Sequence, residues 1–147
     1  MAVFRIERGT SLPVAEAWRR VTDWPAHAAG VPLTRIVVPM PGPTRAGTRF
    51  TARTGIGPLG FDDPMEVVRW EPPVPGGRAA GSCRLEKRGR LVRGWAEIEV
   101  REAVGGALVT WTEELRVRGL PRVCDALLAR AGRRVFGRAL TVLTADN

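Results

Sequence analysis

The chain has no tyrosine, a single histidine, a single lysine among 23 basic residues and two cysteines in 147 positions. Each shortage closes off a class of chemistry. Zinc binding and haem attachment need cysteine and histidine ligands at set spacings, whereas Cys83 and Cys124 lie far apart without a CxxC context and His27 is alone. The sequence implies no metal and no tightly held cofactor, and the cysteines read as buried free thiols. A Ser-His-Asp arrangement is equally unsupported, because His27 lies in a short alanine-rich turn and reads as a surface or capping histidine. No apolar run approaches the ~20 residues that span a bilayer, so stable membrane insertion is not expected. At the start, Val3 and Phe4 are interrupted at once by Arg5, Glu7 and Arg8, which is no signal peptide, and the expected compartment is the cytoplasm.

A net charge of +8 and a pI near 11.4 raise the question of nucleic acid. The distribution argues against it. The bases are almost all arginine, scattered over every segment, in a chain that leans on Arg, Ala, Gly, Pro and Val as G+C-rich coding sequences do. Without tyrosine or aromatic interleaving there is no stacking platform for bases, and nucleic acid is not an expected partner.

What is present reads as one domain over residues 1–147, mostly strands. Residues 2–8 alternate Phe4 and Ile6 against Arg5 and Glu7. Val14, Ala17, Trp18 and Val21 then fall at i, i+3, i+4 and i+7, with Pro13 suited to a helix start and Glu16 near its positive end. Asp23, Trp24 and Pro25 end that helix, and a second short one closes at Gly30. Six further strands follow at 34–39, 48–54, 61–71, 80–88, 91–103 and 107–118, separated by glycine- and proline-rich turns.

The clearest pattern is the last. Over residues 121–144, Cys124, Leu128, Ala131, Val135, Ala139 and Val142 share one helical stripe, and Arg130, Arg133, Arg134 and Arg138 gather opposite. A helix arriving after so much sheet has to bury its stripe on the concave face of that sheet. Small residues along the stripe, with Gly132 and Gly137 nearby, leave space instead of filling it, unless a large partner such as Trp111 occupies the gap.

The order strand, two short helices, six strands, long helix resembles the START-like helix-grip superfamily, in particular its polyketide cyclase/dehydrase-type branch. The likeness rests on Leu12-Pro13-Val14-Ala15-Glu16-Ala17-Trp18 leading to Thr22-Asp23-Trp24, on Gly47-Thr48-Arg49-Phe50, on Val67-Val68-Arg69-Trp70-Glu71-Pro72-Pro73, and on Gly106-Ala107-Leu108-Val109-Thr110-Trp111-Thr112. It covers essentially the whole chain. It implies an α+β helix-grip fold, a seven-stranded curved antiparallel sheet with two short helices after the first strand and a long C-terminal helix packed across it. It also implies a cavity for a small hydrophobic molecule, lipid, sterol-like or polyketide-like. The resemblance transfers no catalytic residue.

Gly55-Ile56-Gly57-Pro58-Leu59-Gly60 matches GxGxxG, but a strand follows where a dinucleotide fingerprint needs a helix, so these are hairpin glycines. Neither Asp62-Asp63 nor Glu113-Glu114 forms an acid–base pair, because adjacent strand residues face opposite ways. Glu113 alone is the candidate acid or base: it shares a face with Val109, Trp111, Leu115 and Val117, where desolvation raises a carboxyl pKa, unless it meets an arginine such as Arg69 or water at the rim. Trp18 and Trp24 are expected to pack the small helices, while Trp70, Trp95 and Trp111 lie on strands. The expected ligand-binding set is Phe50, Met65, Val67, Cys83, Leu85, Trp111 and Glu113 from the sheet, with Leu128, Ala131 and Val135 from the helix. A carrier, a cyclase or dehydratase using the same cavity, and an interaction module working through the arginine face remain open. Ligand identity and oligomeric state are not legible.

Overall fold

The computed structural model of the chain describes residues 2–30, 33–38, 42–56, 58–77 and 79–145 and, of residues 29 and 30, the backbone only. Strand β1 (Ala2–Thr10) leads to helix α1 (Val14–Val21) and a 3₁₀ segment (Trp24–Gly30). Strands β2 (Thr34–Val37), β3 (Arg49–Ile56), β4 (Leu59–Glu71), β5 (Gly81–Arg88), β6 (Val92–Ala103) and β7 (Gly106–Val117) follow. A 3₁₀ turn (Arg122–Cys124) then opens into helix α2 (Asp125–Leu143). The seven strands form one curled antiparallel sheet in the order β1-β7-β6-β5-β4-β3-β2. This is the expected α+β helix-grip architecture. Strand β2 stops at Val37, and Pro39, where it was expected to end, lies outside the described residues.

The hairpin reading of the glycine-rich hexapeptide is correct at its described positions. Gly55 pairs with Gly60 and Ile56 with Leu59 across β3 and β4, and Gly57 lies outside the described residues. Gly55 has φ +138°, and a side chain there would run into the Leu59 carbonyl.

The two ends of the concave face are built differently. At one, Ala17, Trp18 and Val21 of α1 are buried, and the Trp18 indole lies over Gly81 and against Trp70, ring centroids 5.1 Å apart. Trp70 reaches this face because β4 bulges between Val67 and Arg69: Val67 faces Leu85 and Trp70 faces Cys83, two residues on the same side of β5. Here the core is solid, with Val67, Cys83, Ile98, Val100 and Val109 fully buried. The other end is covered only by the 3₁₀ segment and α2.

Helix α2 lies across the sheet, but on a different stripe from the one read from its apolar residues. Gly132, Gly137, Ala139, Leu140 and Leu143 are buried, whereas Ala131 is exposed, Val142 is 47% exposed and Val135 is 36% exposed. The reason is that glycine gives no hydrophobic signal, yet it marks where the backbone comes closest. At Gly132 an added Cβ would stand 2.5 Å from Phe4 Cε1, and at Gly137 it would stand 3.0 Å from Arg8 Nη2. Phe136, beside these glycines, stacks on Phe4 at 5.8 Å. The arginines of the opposite face, Arg130, Arg133, Arg134 and Arg138, are all exposed.

These two glycines should respond oppositely to alanine. Gly132→Ala pushes a methyl into a buried ring and is expected to destabilise by roughly 1–3 kcal/mol despite its helix propensity. Gly137→Ala meets the far end of the long Arg8 side chain and, at an ordinary 3.9 Å, Ile6 Cδ1, and should be neutral or stabilising by up to ~1 kcal/mol. Urea unfolding of the two variants checks this, and equal losses would show that α2 is not seated through Gly132.

Candidate functional site

Between the open end of the sheet and α2 lies a cavity of about 410 Å³. A chain of rings forms much of its wall. Phe50 stacks on Trp24 at 4.8 Å, His27 lies 5.3 Å from Trp24 and 5.4 Å from Trp111, and Trp111 stacks on Phe136 at 5.3 Å. Trp111 therefore occupies part of the space under the helix without filling it. Aliphatic side chains complete the lining, among them Ile36, Met65, Leu85, Leu115 and Leu128, and Phe61 and Val135 stand toward solvent.

Set into this apolar wall is a charged cluster. The Lys87 ammonium donates to Asp63 Oδ2 at 2.6 Å and lies 3.2 Å from Glu113 Oε1. The side chains of Lys87 and Glu113 are 2% and 1% exposed, and that of Asp63 13%. Trp111 Nε1 donates to Glu113 Oε2 at 3.2 Å, and Asp63 Oδ1 is buried without a partner. Lys87 and Glu113 come from β5 and β7, strands whose axes are roughly 9–10 Å apart because β6 runs between them. The bridge forms because β6 places almost nothing in the way: Gly94 is paired with Lys87, and Ala96 with Glu113. Gly94 has φ +132°, and a side chain there would strike the Glu114 carbonyl.

Burial governs the ionisation of this wall. It pushes the Glu113 carboxyl above its ordinary value, and the attraction of Lys87 offsets only part of that. Burial alone would lower the Lys87 ammonium, but Glu113 and Asp63 outweigh it and hold it above its ordinary value. Desolvation lowers His27 below 6.5, and the neutral ring donates from Nε2 to the Val21 carbonyl at 2.6 Å, which leaves Nδ1 as a lone-pair acceptor. The buried Cys83 thiol is pushed up to about 12 by desolvation, so it is inert packing and not a nucleophile.

Of the residues assigned from sequence, Phe50, Met65, Leu85, Trp111, Glu113, Leu128 and Val135 line the cavity. Val67 and Cys83 do not: both are fully buried, in the solid part of the core. Ala131 does not either, because the glycine-seated helix turns it to solvent. Glu113 meets Lys87, not Arg69, whose guanidinium donates to Ser82 at 3.0 Å. His27 is not a surface residue: it caps the last carbonyl of α1, that of Val21, and also forms part of the ring wall, and Trp24 lines the cavity as well as packing its own segment. Asp62 and Asp63 do face opposite ways: Asp62 meets Arg53 at 3.6 Å while Asp63 turns inward. The missed residues that matter most are Asp63 and Lys87. Lys87 left a signal, since it continues the inward series Gly81, Cys83, Leu85 and is the one lysine of the chain. Among the described residues no group of three or more His, Cys, Asp or Glu is placed to hold a metal ion, and no helix is long and apolar enough to cross a membrane.

No family model matches the chain, and no curated protein matches it significantly in sequence. Solved structures do match in shape. The Zhui aromatase/cyclase from Streptomyces sp. R1128 superposes with a TM-score of 0.67 at 11% identity, over 97% of this chain and 90% of that one. Ara h 8.0201 gives 0.62 at 11% identity, over 98% of both chains. The chain has the helix-grip fold. DynU16, described as a putative protein in the dynemicin biosynthetic locus, shares that fold with a TM-score of 0.60 at 21% identity, over 97% of this chain and 47% of its own. At these identities the helix-grip likeness fixes architecture. Function has to be argued from the cavity.

Proposed function

We propose that the protein binds a small, largely apolar molecule in the cavity beneath α2. The observation that carries this reading is the cavity itself, about 410 Å³ of room at one end of an otherwise solid core. Protein interiors pack with few voids larger than a water molecule, and small-molecule sites begin near ~300 Å³. The aromatic chain from Phe50 to Phe136 suits a flat or ring-containing guest. That helix-grip proteins include one named an aromatase/cyclase supports a polyketide-like guest over a straight-chain lipid.

Native mass spectrometry and thermal shift against lipids, sterols and aromatic polyketides test the proposal. A ligand present at one hundred times its Kd adds about 2.7 kcal/mol of stability, a shift of several degrees for a domain of this size. Leu128→Trp, which plugs the helix side of the cavity, should erase that shift without lowering the melting temperature of the free protein. A panel in which nothing stabilises the wild type would remove the reading.

A second reading, a cyclase or dehydratase, is favoured by one specific observation. Glu113 is a buried carboxyl with a raised pKa, in reach of an ammonium and inside a cavity, which is how a proton-transferring group is held near its working pH. If the protein turns over its ligand, Glu113→Gln abolishes turnover and leaves binding nearly intact. Parallel loss of both would assign Glu113 to binding alone.

A further inference from the structure

The described cavity wall has used its N–H donors and kept one buried acceptor unsatisfied. Lys87 directs its ammonium to Asp63 at 2.6 Å, to Glu113 at 3.2 Å and, weakly, to Met65 Sδ at 4.0 Å. Trp111 Nε1 is bound to Glu113, Trp24 Nε1 to Thr44 Oγ1 at 3.0 Å, and His27 Nε2 to the Val21 carbonyl. Among the described residues, the buried polar side-chain atom left without a partner is an acceptor, Asp63 Oδ1. The Thr34 and Thr54 hydroxyls bond each other at 2.9 Å, and a hydroxyl pair carries no charge to set against an anion.

The charge count points the same way. Although basic residues outnumber acidic ones 23 to 15 in the chain, none of the described arginines lines the cavity. Its one cation is already shared between two carboxyls. A carboxylate or phosphate entering this site would be stripped of water, meet no free N–H donor, and lie beside Asp63 and Glu113. A buried unpaired charge of that kind is among the most costly arrangements in a protein. A hydroxyl or ammonium instead supplies the donor that the wall lacks.

Taking as given that the cavity holds a ligand, we infer that the polar end of that ligand is a hydrogen-bond donor, a hydroxyl or an ammonium, and that the site rejects carboxylate and phosphate head groups. Fatty acids and acidic lipids are thereby excluded from the candidates, and phenol-, enol- or amine-bearing ring compounds are retained.

A matched series on one scaffold tests this with the wild-type protein: 1-ethylnaphthalene, 2-(1-naphthyl)ethanol, 2-(1-naphthyl)ethylamine and 1-naphthylacetate, titrated by calorimetry at neutral pH. The alcohol or the amine should bind more tightly than 1-ethylnaphthalene, and at least about tenfold more tightly than the acetate, the equivalent of one unsatisfied charged contact. In Asp63→Asn, where the side chain gains N–H donors, the handicap of the acetate should shrink. Acetate binding equal to or tighter than that of the alcohol and amine would overturn the inference while leaving the cavity reading intact. So would an alcohol and amine that gain nothing over 1-ethylnaphthalene. Failure of all four compounds to bind would sink the cavity reading, and this inference with it.

Discussion

Replacing Lys87 by methionine is expected to destabilise the protein by roughly 3–5 kcal/mol, the usual cost of removing one partner from a buried ionic cluster. Methionine preserves the length and most of the volume of the side chain, so the loss is electrostatic in origin. Asp63 and Glu113 would be left facing each other across an apolar space with no cation between them. The pair would then be buried without a counter-charge, which is the costly arrangement. The triple variant Lys87→Met/Asp63→Asn/Glu113→Gln removes all three charges and keeps an acceptor for Trp111 Nε1, so it should recover at least half of the lost stability. Lys87→Arg is not a conservative alternative. The ammonium is a point charge held between oxygens at 2.6 and 3.2 Å, and a longer, planar guanidinium does not reproduce that geometry. Urea unfolding at neutral pH decides the matter: a Lys87→Met variant within 1 kcal/mol of wild type would mean that the cluster is open to water.

The fold was legible because its signals are local. Alternation located all seven strands to within a few residues, and the i, i+3, i+4, i+7 series Val14, Ala17, Trp18, Val21 gave α1 and its buried face. The cavity was legible as an idea for the same reason, since a long helix after a curved sheet must cover something. Its exact walls were not, for two physical reasons. A helix face read from apolar side chains misses contacts made by glycine, so Ala131 was placed inward when Gly132 and Phe136 are the residues that touch β1 and the ring wall. A strand pattern read in binary form collects apolar residues as the inward set and leaves a charged residue at an inward position out of it. Lys87 and Asp63 were passed over although both lie on the inward alternation of β5 and β4. What joins them to Glu113 is a cross-strand register, Lys87 to Gly94 and Glu113 to Ala96, and register between strands 20 or more residues apart is not written in any local window. The bulge at Val67 had a similar effect, bringing Trp70 to the concave side while leaving it outside the cavity.

The proton held at Glu113 should be visible as a pH dependence of folding. Because burial raises its folded-state pKa above the unfolded value of 4.5, the folded protein binds one more proton than the unfolded chain in the interval between the two. Glu113 therefore contributes stability that is complete below pH 4.5 and is lost as pH rises through the folded-state pKa, with a slope that approaches 1.4 kcal/mol per pH unit for one full proton. His27 works in the opposite direction: its lowered pKa gives stability present above 6.5 and lost as pH falls, so the wild-type profile alone would mix the two. The Glu16 carboxyl, lowered to about 2 by its hydrogen bonds to Arg19 and Arg20, titrates below this window, and Lys87, raised above 10.5, titrates beyond it. The difference between wild type and Glu113→Gln, which share His27, isolates the term. That difference should fall as pH rises above 4.5 until the folded-state pKa is passed, as wild type gives up the advantage of the protonated carboxyl. A difference that stays flat or grows with pH would show Glu113 ionised throughout in the folded state, fully compensated by Lys87. The cavity would then carry a fixed negative charge, with no proton for a catalytic group to transfer.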